Sequence, residues 1–130
     1  IILCEDSIVR GTQLKNFTVK KLWEGGAKEI HVRPACPPLM FPCRFALSTR
    51  TLEELAARRA IEAIEGKKVK DVGPYLDSRT KKYQRMVDWI GKELDVTSLM
   101  YQKIDDMVEA IGLPRERLCL YCWTGDHPVH

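Results

Sequence analysis

Two adjacent carboxylates followed by a short hydroxyl- and glycine-containing stretch form the most chemically informative part of the chain. Glu5 and Asp6 stand directly after the apolar residues Ile1, Ile2 and Leu3, and the sequence continues Ser7-Ile8-Val9-Arg10-Gly11-Thr12. In open α/β sheets, ligands bind beyond the carboxyl ends of the strands. A loop that leads into a helix offers unpaired amides and a favourable dipole to an anion. Gly11 lacks the side chain that would hold a phosphate away from the backbone, and it permits a positive φ. Ser7 and Thr12 add hydroxyl donors. Two carboxylates would repel a bare phosphate, so the residue types make sense together only for a more complex ligand. A phosphorylated ribose satisfies both halves. Its vicinal hydroxyls donate to Glu5 and Asp6, and its phosphate sits on the Ser7–Thr12 amides. The same carboxylates can attract Mg²⁺ carried on pyrophosphate oxygens. The alternative is an ordinary strand-to-helix turn with a solvated acidic pair.

The five cysteines are the second group that could do chemistry: Cys4, Cys36, Cys43, Cys119 and Cys122. Cys119-x-x-Cys122 has the spacing of a metal or redox site. Zinc suits such a pair, and a pair of free thiols is the plain alternative. Cys4, embedded at the end of a strand, reads as a packed thiol.

The elements that must carry these residues follow from periodicity. Ile1 to Cys4 reads as a buried strand. Leu14, Phe17, Val19 and Leu22 predict one helix over Gln13 to Trp23, stopped by Gly25-Gly26. Glu29 to Arg33 alternates and predicts a second strand. Together they make a strand–loop–helix–strand unit of a parallel α/β sheet. Pro34, Pro37, Pro38 and Pro42 enforce a stiff irregular loop from Arg33 to Cys43. Thr51 and Glu54 resemble a capping box at the start of a helix that Gly66 closes. Asp71 to Thr80 reads as a polar connector, Lys81 to Leu94 as a helix, Val96 to Tyr101 as an extended piece, and Ile104 to Ile111 as a last helix stopped by Gly112 and Pro114. The expected organisation is residues 1–48 as part of a parallel-sheet domain and residues 49–130 as a helical extension with a cysteine-rich tail. A buried parallel strand needs neighbours on both sides, and the chain offers few, so the sequence reads as a fragment of a larger domain.

Composition narrows the function classes. The chain has 130 residues, 45% of them hydrophobic, which is enough for a core. A formal net charge of +3 is too small to indicate nucleic-acid binding on its own. No apolar run is long enough to span a bilayer, and the start lacks the basic region of a signal peptide. A cytoplasmic setting is the expectation, with no nucleic-acid or membrane partner. His31 within its strand, and His127 and His130 in the tail, read as surface or satisfied histidines. Trp23, Trp89 and Trp123 read as core anchors.

The stretch EDSIVRGT resembles the phosphoribosylpyrophosphate motif of the type I phosphoribosyltransferases, in the form found in the glutamine amidotransferases that begin purine synthesis. GAKEIHVRPACPP (Gly26–Pro38), FPCRFAL and CLYCWTGDHP (Cys119–Pro128) are similar to later blocks of that family, in the same order. The resemblance implies the carboxyl-terminal part of an amidophosphoribosyltransferase. That enzyme transfers glutamine-derived ammonia onto carbon 1 of phosphoribosylpyrophosphate, releasing pyrophosphate. It implies that Glu5 and Asp6 hold the ribose hydroxyls and Ser7 through Thr12 the 5-phosphate. It also implies an amino-terminal glutaminase domain outside this chain, a homo-oligomer at full length, and an isolated chain that is inactive. Some members carry a [4Fe–4S] cluster. The resemblance places Cys43, Cys119 and Cys122 at three ligand positions, with the fourth upstream, and nothing in the spacing recruits Cys36. Departures are visible. Glu5 stands where an aspartate is usual, Gln13 stands where a small hydroxyl residue is common, and residues from about Arg58 to Lys82 look inserted, their basic residues reading as solvated surface. Two other functions stay open: a sugar-phosphate-sensing regulator without catalysis, and a small metal-binding interaction domain.

Overall fold

A computed structural model describes residues 1–45, 47 and 49–126. Ala46 within FPCRFAL, Ser48 at the expected boundary, and residues 127–130, with His127, Pro128 and His130, lie outside the described residues.

Three strands form a wholly parallel sheet in the order β1-β2-β3. They are β1 (Ile2–Glu5), β2 (His31–Pro34) and β3 (Ser98–Leu99). The pairing runs from Ile2 opposite His31 to Glu5 opposite Pro34, and the Ala35 amide donates to the Glu5 carbonyl at 2.8 Å. The carboxyl ends of β1 and β2 therefore lie side by side, which brings the acidic loop and the proline loop to one edge of the sheet.

β1 is the sheet edge, and with a side-chain period of two its alternate residues Ile2 and Cys4 face away from the core. Within this chain alone Ile2 is 71% exposed and Cys4 is exposed, as in a strand expected to take neighbours from outside the chain. Leu3, on the other face, packs against the core with Val32 of β2. The piece expected over Val96–Tyr101 pairs only at Ser98 and Leu99, in register with His31 and Val32.

The first helix is also not the single α-helix that its spacing predicts. Leu14–Val19 is a wider π-helical segment that runs into α1 (Lys20–Glu24). With i→i+5 hydrogen bonding, Leu14 and Val19 fall on one face. Val19 is buried and Leu14 packs on the core, while Phe17 turns outward and is 63% exposed.

The helical part packs on the sheet through its first two helices. It comprises α2 (Ala56–Glu65), α3 (Lys81–Glu93), α4 (Ile104–Ile111) and the short α5 (Tyr121–Thr124). Ala57, Ala60 and Ile61 of α2 meet Met86, Val87 and Ile90 of α3 in a core that also holds Ile8, Val19, Ile30 and Val32. One core thus draws on residues before and after position 48. Burying each large aliphatic side chain there contributes roughly 1.5–3 kcal/mol. Gly66 ends α2 with φ 70°, as its place in the sequence predicts. Thr80 caps α3 by accepting the Tyr83 amide at 3.1 Å.

The expected capping box at Thr51 and Glu54 does not form. Leu52–Glu54 is a single 3₁₀ turn, Thr51 makes no side-chain cap, and the helix proper begins at Ala56. Glu54 is instead engaged elsewhere, as described below. The basic residues Lys67, Lys68, Lys70, Lys81 and Lys82 are exposed, while Val72 and Tyr75 between them are buried. Trp23 and Trp89 are half-buried against the main core, and Trp123 against a smaller cluster of Cys36, Met107 and Leu120. The Trp23 indole donates to the Asp95 carbonyl at 2.8 Å. His31 is held between Ser98 Oγ at 2.8 Å and Glu29 Oε2 at 3.1 Å, the satisfied strand histidine that was expected.

Candidate functional site: an acidic loop at the sheet edge and a cysteine cluster behind it

Glu5 is the last residue of β1, and from it the chain turns into the loop rather than continuing the ladder. The Asp6 carboxylate starts the turn by accepting the Ser7 amide at 2.6 Å. All the residues from Glu5 to Leu14, together with Phe17 and Thr18, line one groove of about 880 Å³. Every residue singled out from the sequence, Glu5, Asp6, Ser7, Ile8, Val9, Arg10, Gly11 and Thr12, is brought together there. Asp6, Arg10 and Thr12 are exposed on it, and Glu5 and Ser7 are half-buried. Ile8 differs in role, since at 4% exposure its side chain anchors the loop in the core.

The backbone amides from Ile8 to Thr12 have no acceptor among the described residues. Unpaired amide donors at a groove beside two carboxylates give the site two chemistries. The amides can hold an oxyanion, and the carboxylates can accept hydroxyl hydrogens or meet a hard cation. Gly11 has φ +78°, which confirms the positive dihedral. Its missing side chain also serves packing. A Cβ there would lie 2.8 Å from Leu94 Cδ2 and 3.6 Å from Ile8 Cγ2, both on buried residues.

Residues distant in sequence hold this loop, and the sequence reading missed them. Arg10 pairs with Glu54, Arg59 Nη2 donates to the Arg10 carbonyl at 2.5 Å, and the Ala56 amide donates to the Val9 carbonyl at 2.8 Å. Leu94 closes the loop from below. No periodicity or motif links positions 10 and 54. Phe17 and Thr18 also line the groove, and the helical spacing that hid the wider turn hid them as well.

The cysteines form a separate cluster. The Met40 and Phe41 amides both donate to the Cys122 carbonyl, at 2.8 and 3.0 Å, so the tail folds back onto the proline loop. The Phe41 and Tyr121 rings stand 5.6 Å apart and pin it there. Burial pushes the Cys122 thiol up, and the neighbouring Cys43 and Cys119 push it further, Cys43 also through a hydrogen bond. Cys43 and Cys122 thus lie side by side, and Cys119, on the same tail, is exposed. Among the described residues no group of three or more His, Cys, Asp or Glu is already gathered as a metal site. Cys36 lies apart from them. It is buried, and its thiol is pushed up chiefly by that burial, against a contact with Trp123 that lowers it and an influence of Asp6 that raises it.

The parallel sheet, its helical layer and the loop at the end of β1 define part of a phosphoribosyltransferase-type α/β domain. The solved glutamine phosphoribosylpyrophosphate amidotransferase from B. subtilis, complexed with ADP and GMP, superposes with a TM-score of 0.69 and 29% identity, over 98% of this chain and 23% of that one. The chain is related to the carboxyl-terminal part of the amidophosphoribosyltransferases. It is 35% identical over 133 residues to the enzyme of Staphylococcus aureus (strain Mu50 / ATCC 700699), covering 99% of this chain and 22% of the relative. It is 33% identical over 129 residues to that of Methanocaldococcus jannaschii, covering 99% of this chain and 21% of the relative. The chain therefore spans about a fifth of the length of these curated relatives. No family model matches it. Among the described residues no helix is long and apolar enough to cross a membrane.

Proposed function

We propose that this chain is the sugar-phosphate-binding part of an amidophosphoribosyltransferase that makes 5-phosphoribosylamine from phosphoribosylpyrophosphate and glutamine-derived ammonia in purine synthesis. The observation that carries the reading is the groove in which unpaired loop amides face the same space as Glu5 and Asp6. Glu5 and Asp6 accept the ribose hydroxyls, and the loop from Ser7 to Thr12, through its amides from Ile8 onward, holds the 5-phosphate. The reaction breaks the bond from carbon 1 to pyrophosphate and forms one to ammonia. Fixed position and fixed charge dominate such a step. Mg²⁺, bound with the pyrophosphate, supplies charge neutralisation for the leaving group, and Glu5 and Asp6 are hard oxygen donors that suit it. Ammonia comes from a glutaminase domain outside this chain, which alone is inactive. The full-length protein is a cytoplasmic homo-oligomer.

The test compares ribose 5-phosphate with 2-deoxyribose 5-phosphate by calorimetric titration of the intact protein. Loss of one hydrogen bond to a charged acceptor should weaken binding of the deoxy sugar by about 1.5–3 kcal/mol, or at least tenfold. Equal affinities would remove the carboxylates from sugar recognition.

Cys43, Cys119 and Cys122 fit a thiolate-bound group as three of four ligands. Soft sulfur donors lie where the tail crosses the proline loop, and the raised protonation of Cys122 is what metal binding would displace. A [4Fe–4S] cluster at that place supplies a cross-brace between tail and loop. Protein prepared without oxygen should carry about four irons per chain, as a cubane cluster requires. Cys43→Ser should lose them and loosen the tail while sugar-phosphate binding persists. Stoichiometric zinc in place of iron would contradict the cluster.

A further inference from the structure

Two residues far from the loop in sequence hold it by its back. We propose that Glu54 and Arg59 are positioning residues for the phosphate loop, fixing Arg10 so that the Arg10 and Gly11 amides aim at the sugar phosphate. This rests on the reading of the loop given above.

The geometry is specific. Arg59 Nη2 donates to the Arg10 carbonyl at 2.5 Å, and the Ala56 amide donates to the Val9 carbonyl at 2.8 Å. Two consecutive carbonyls are thus drawn toward the start of α2. In a planar trans peptide the C=O and the following N–H point in opposite directions. No peptide bond in the described chain is cis. Drawing the Val9 and Arg10 carbonyls toward α2 therefore turns the Arg10 and Gly11 amides away from it. Neither amide has an acceptor among the described residues, and both residues line the groove. The Arg10 side chain is fixed as well, by its ion pair with Glu54 Oε1. Glu54 is itself oriented, because its other oxygen accepts the Arg50 amide at 3.2 Å. That amide, followed by Arg10, holds the Glu54 carboxyl below its ordinary value.

Arg10 is 61% exposed at its side chain, and such surface pairs contribute little to global stability. A purely structural role would show in the melting temperature. A positioning role shows in substrate binding. A loop that grips the phosphate equally in ground and transition states affects KM more than kcat.

The experiment uses the intact protein, with phosphoribosylpyrophosphate as the varied substrate and ribose 5-phosphate as the titrant. Glu54→Gln and Arg59→Met should each raise KM and weaken ribose 5-phosphate binding about tenfold, with kcat and melting temperature nearly unchanged. Arg59→Lys keeps a donor for the Arg10 carbonyl and should recover most of the affinity. If Arg10 instead touches the phosphate directly, removing Glu54 would free its charge and lower KM, which overturns the proposal. So does failure of Arg59→Lys to improve on Arg59→Met. Asp6→Asn separates the two levels of the reading. If it binds weakly while Glu54→Gln and Arg59→Met bind as wild type, only the clamp fails. If all three bind as wild type, the loop assignment fails and the clamp with it.

Discussion

Asp6→Asn in the intact protein should lower kcat/KM for phosphoribosylpyrophosphate by roughly tenfold to a hundredfold, the scale of one charge-assisted hydrogen bond worth about 1.5–3 kcal/mol. The fold should survive. Asp6 is exposed, and among the described residues its carboxylate makes one hydrogen bond, which Oδ1 accepts from the Ser7 amide at 2.6 Å. Asparagine keeps a carbonyl oxygen at that place, so the turn into the loop is retained. What disappears is the charge that strengthens the bond from a ribose hydroxyl and attracts the metal carried by pyrophosphate. A second readout lies next door. The Cys36 thiol is pushed up mainly by burial, with Asp6 adding to it. Without that carboxylate, Cys36 should ionise at slightly lower pH, visible as faster alkylation in a pH series. Unchanged kinetics in a folded Asp6→Asn protein would remove Asp6 from the site.

Gly11→Val should be the most damaging single change in the loop. The position has φ +78°, where a side chain costs about 1–2 kcal/mol and a β-branched one is worse. The new atoms would also meet Leu94 Cδ2 at 2.8 Å, and forcing bulk into a packed core costs about 1–3 kcal/mol more. The sequence alone suggests a glycine that lets phosphate approach, whose replacement would spare the helix beyond. The structure adds the packing of the loop on Leu94, so both ligand binding and thermal stability should fall. Leu94→Ala in the Gly11→Val background relieves the clash but not the dihedral, so it should restore only part of the stability. Melting curves of the single and double variants, with ribose 5-phosphate present and absent, measure both effects. A Gly11→Val protein that melts and binds as wild type would contradict the packing.

The parts of the site that are contiguous in the chain were legible in the sequence. A short apolar run, an acidic pair, a glycine and a helical period suffice to place a strand, a loop and a helix, and the residue types lead to the proposal of a sugar phosphate. The parallel α/β class followed from the alternation of the second strand. The apolar triplet of β1 marks a strand that needs neighbours, and within this chain its outer side is open. The π-helical turn was hidden. Leu14, Phe17, Val19 and Leu22 satisfy a helical period approximately, and only the packing of Leu14 and Val19 together decides which turn is wound. Thr51 and Glu54 show a second kind of failure. The spacing of a capping box is present, but Glu54 is engaged by Arg10 and by the Arg50 amide, and the first helical amide of Ala56 goes to the Val9 carbonyl. Contacts between positions far apart in the chain leave no local signature. For the same reason Arg59 and Leu94 were invisible as parts of the site.

The most direct test of the central claim is ammonia-dependent formation of phosphoribosylamine by the intact protein, with phosphoribosylpyrophosphate, Mg²⁺ and an ammonium salt and without glutamine. This bypasses the glutaminase and reads the sugar-phosphate site alone. Phosphoribosylamine and pyrophosphate should appear in equal amounts, at a rate that saturates with phosphoribosylpyrophosphate and falls at least tenfold in Asp6→Asn. A folded protein that forms no phosphoribosylamine, or one whose Asp6→Asn variant forms it at the wild-type rate, would contradict the account.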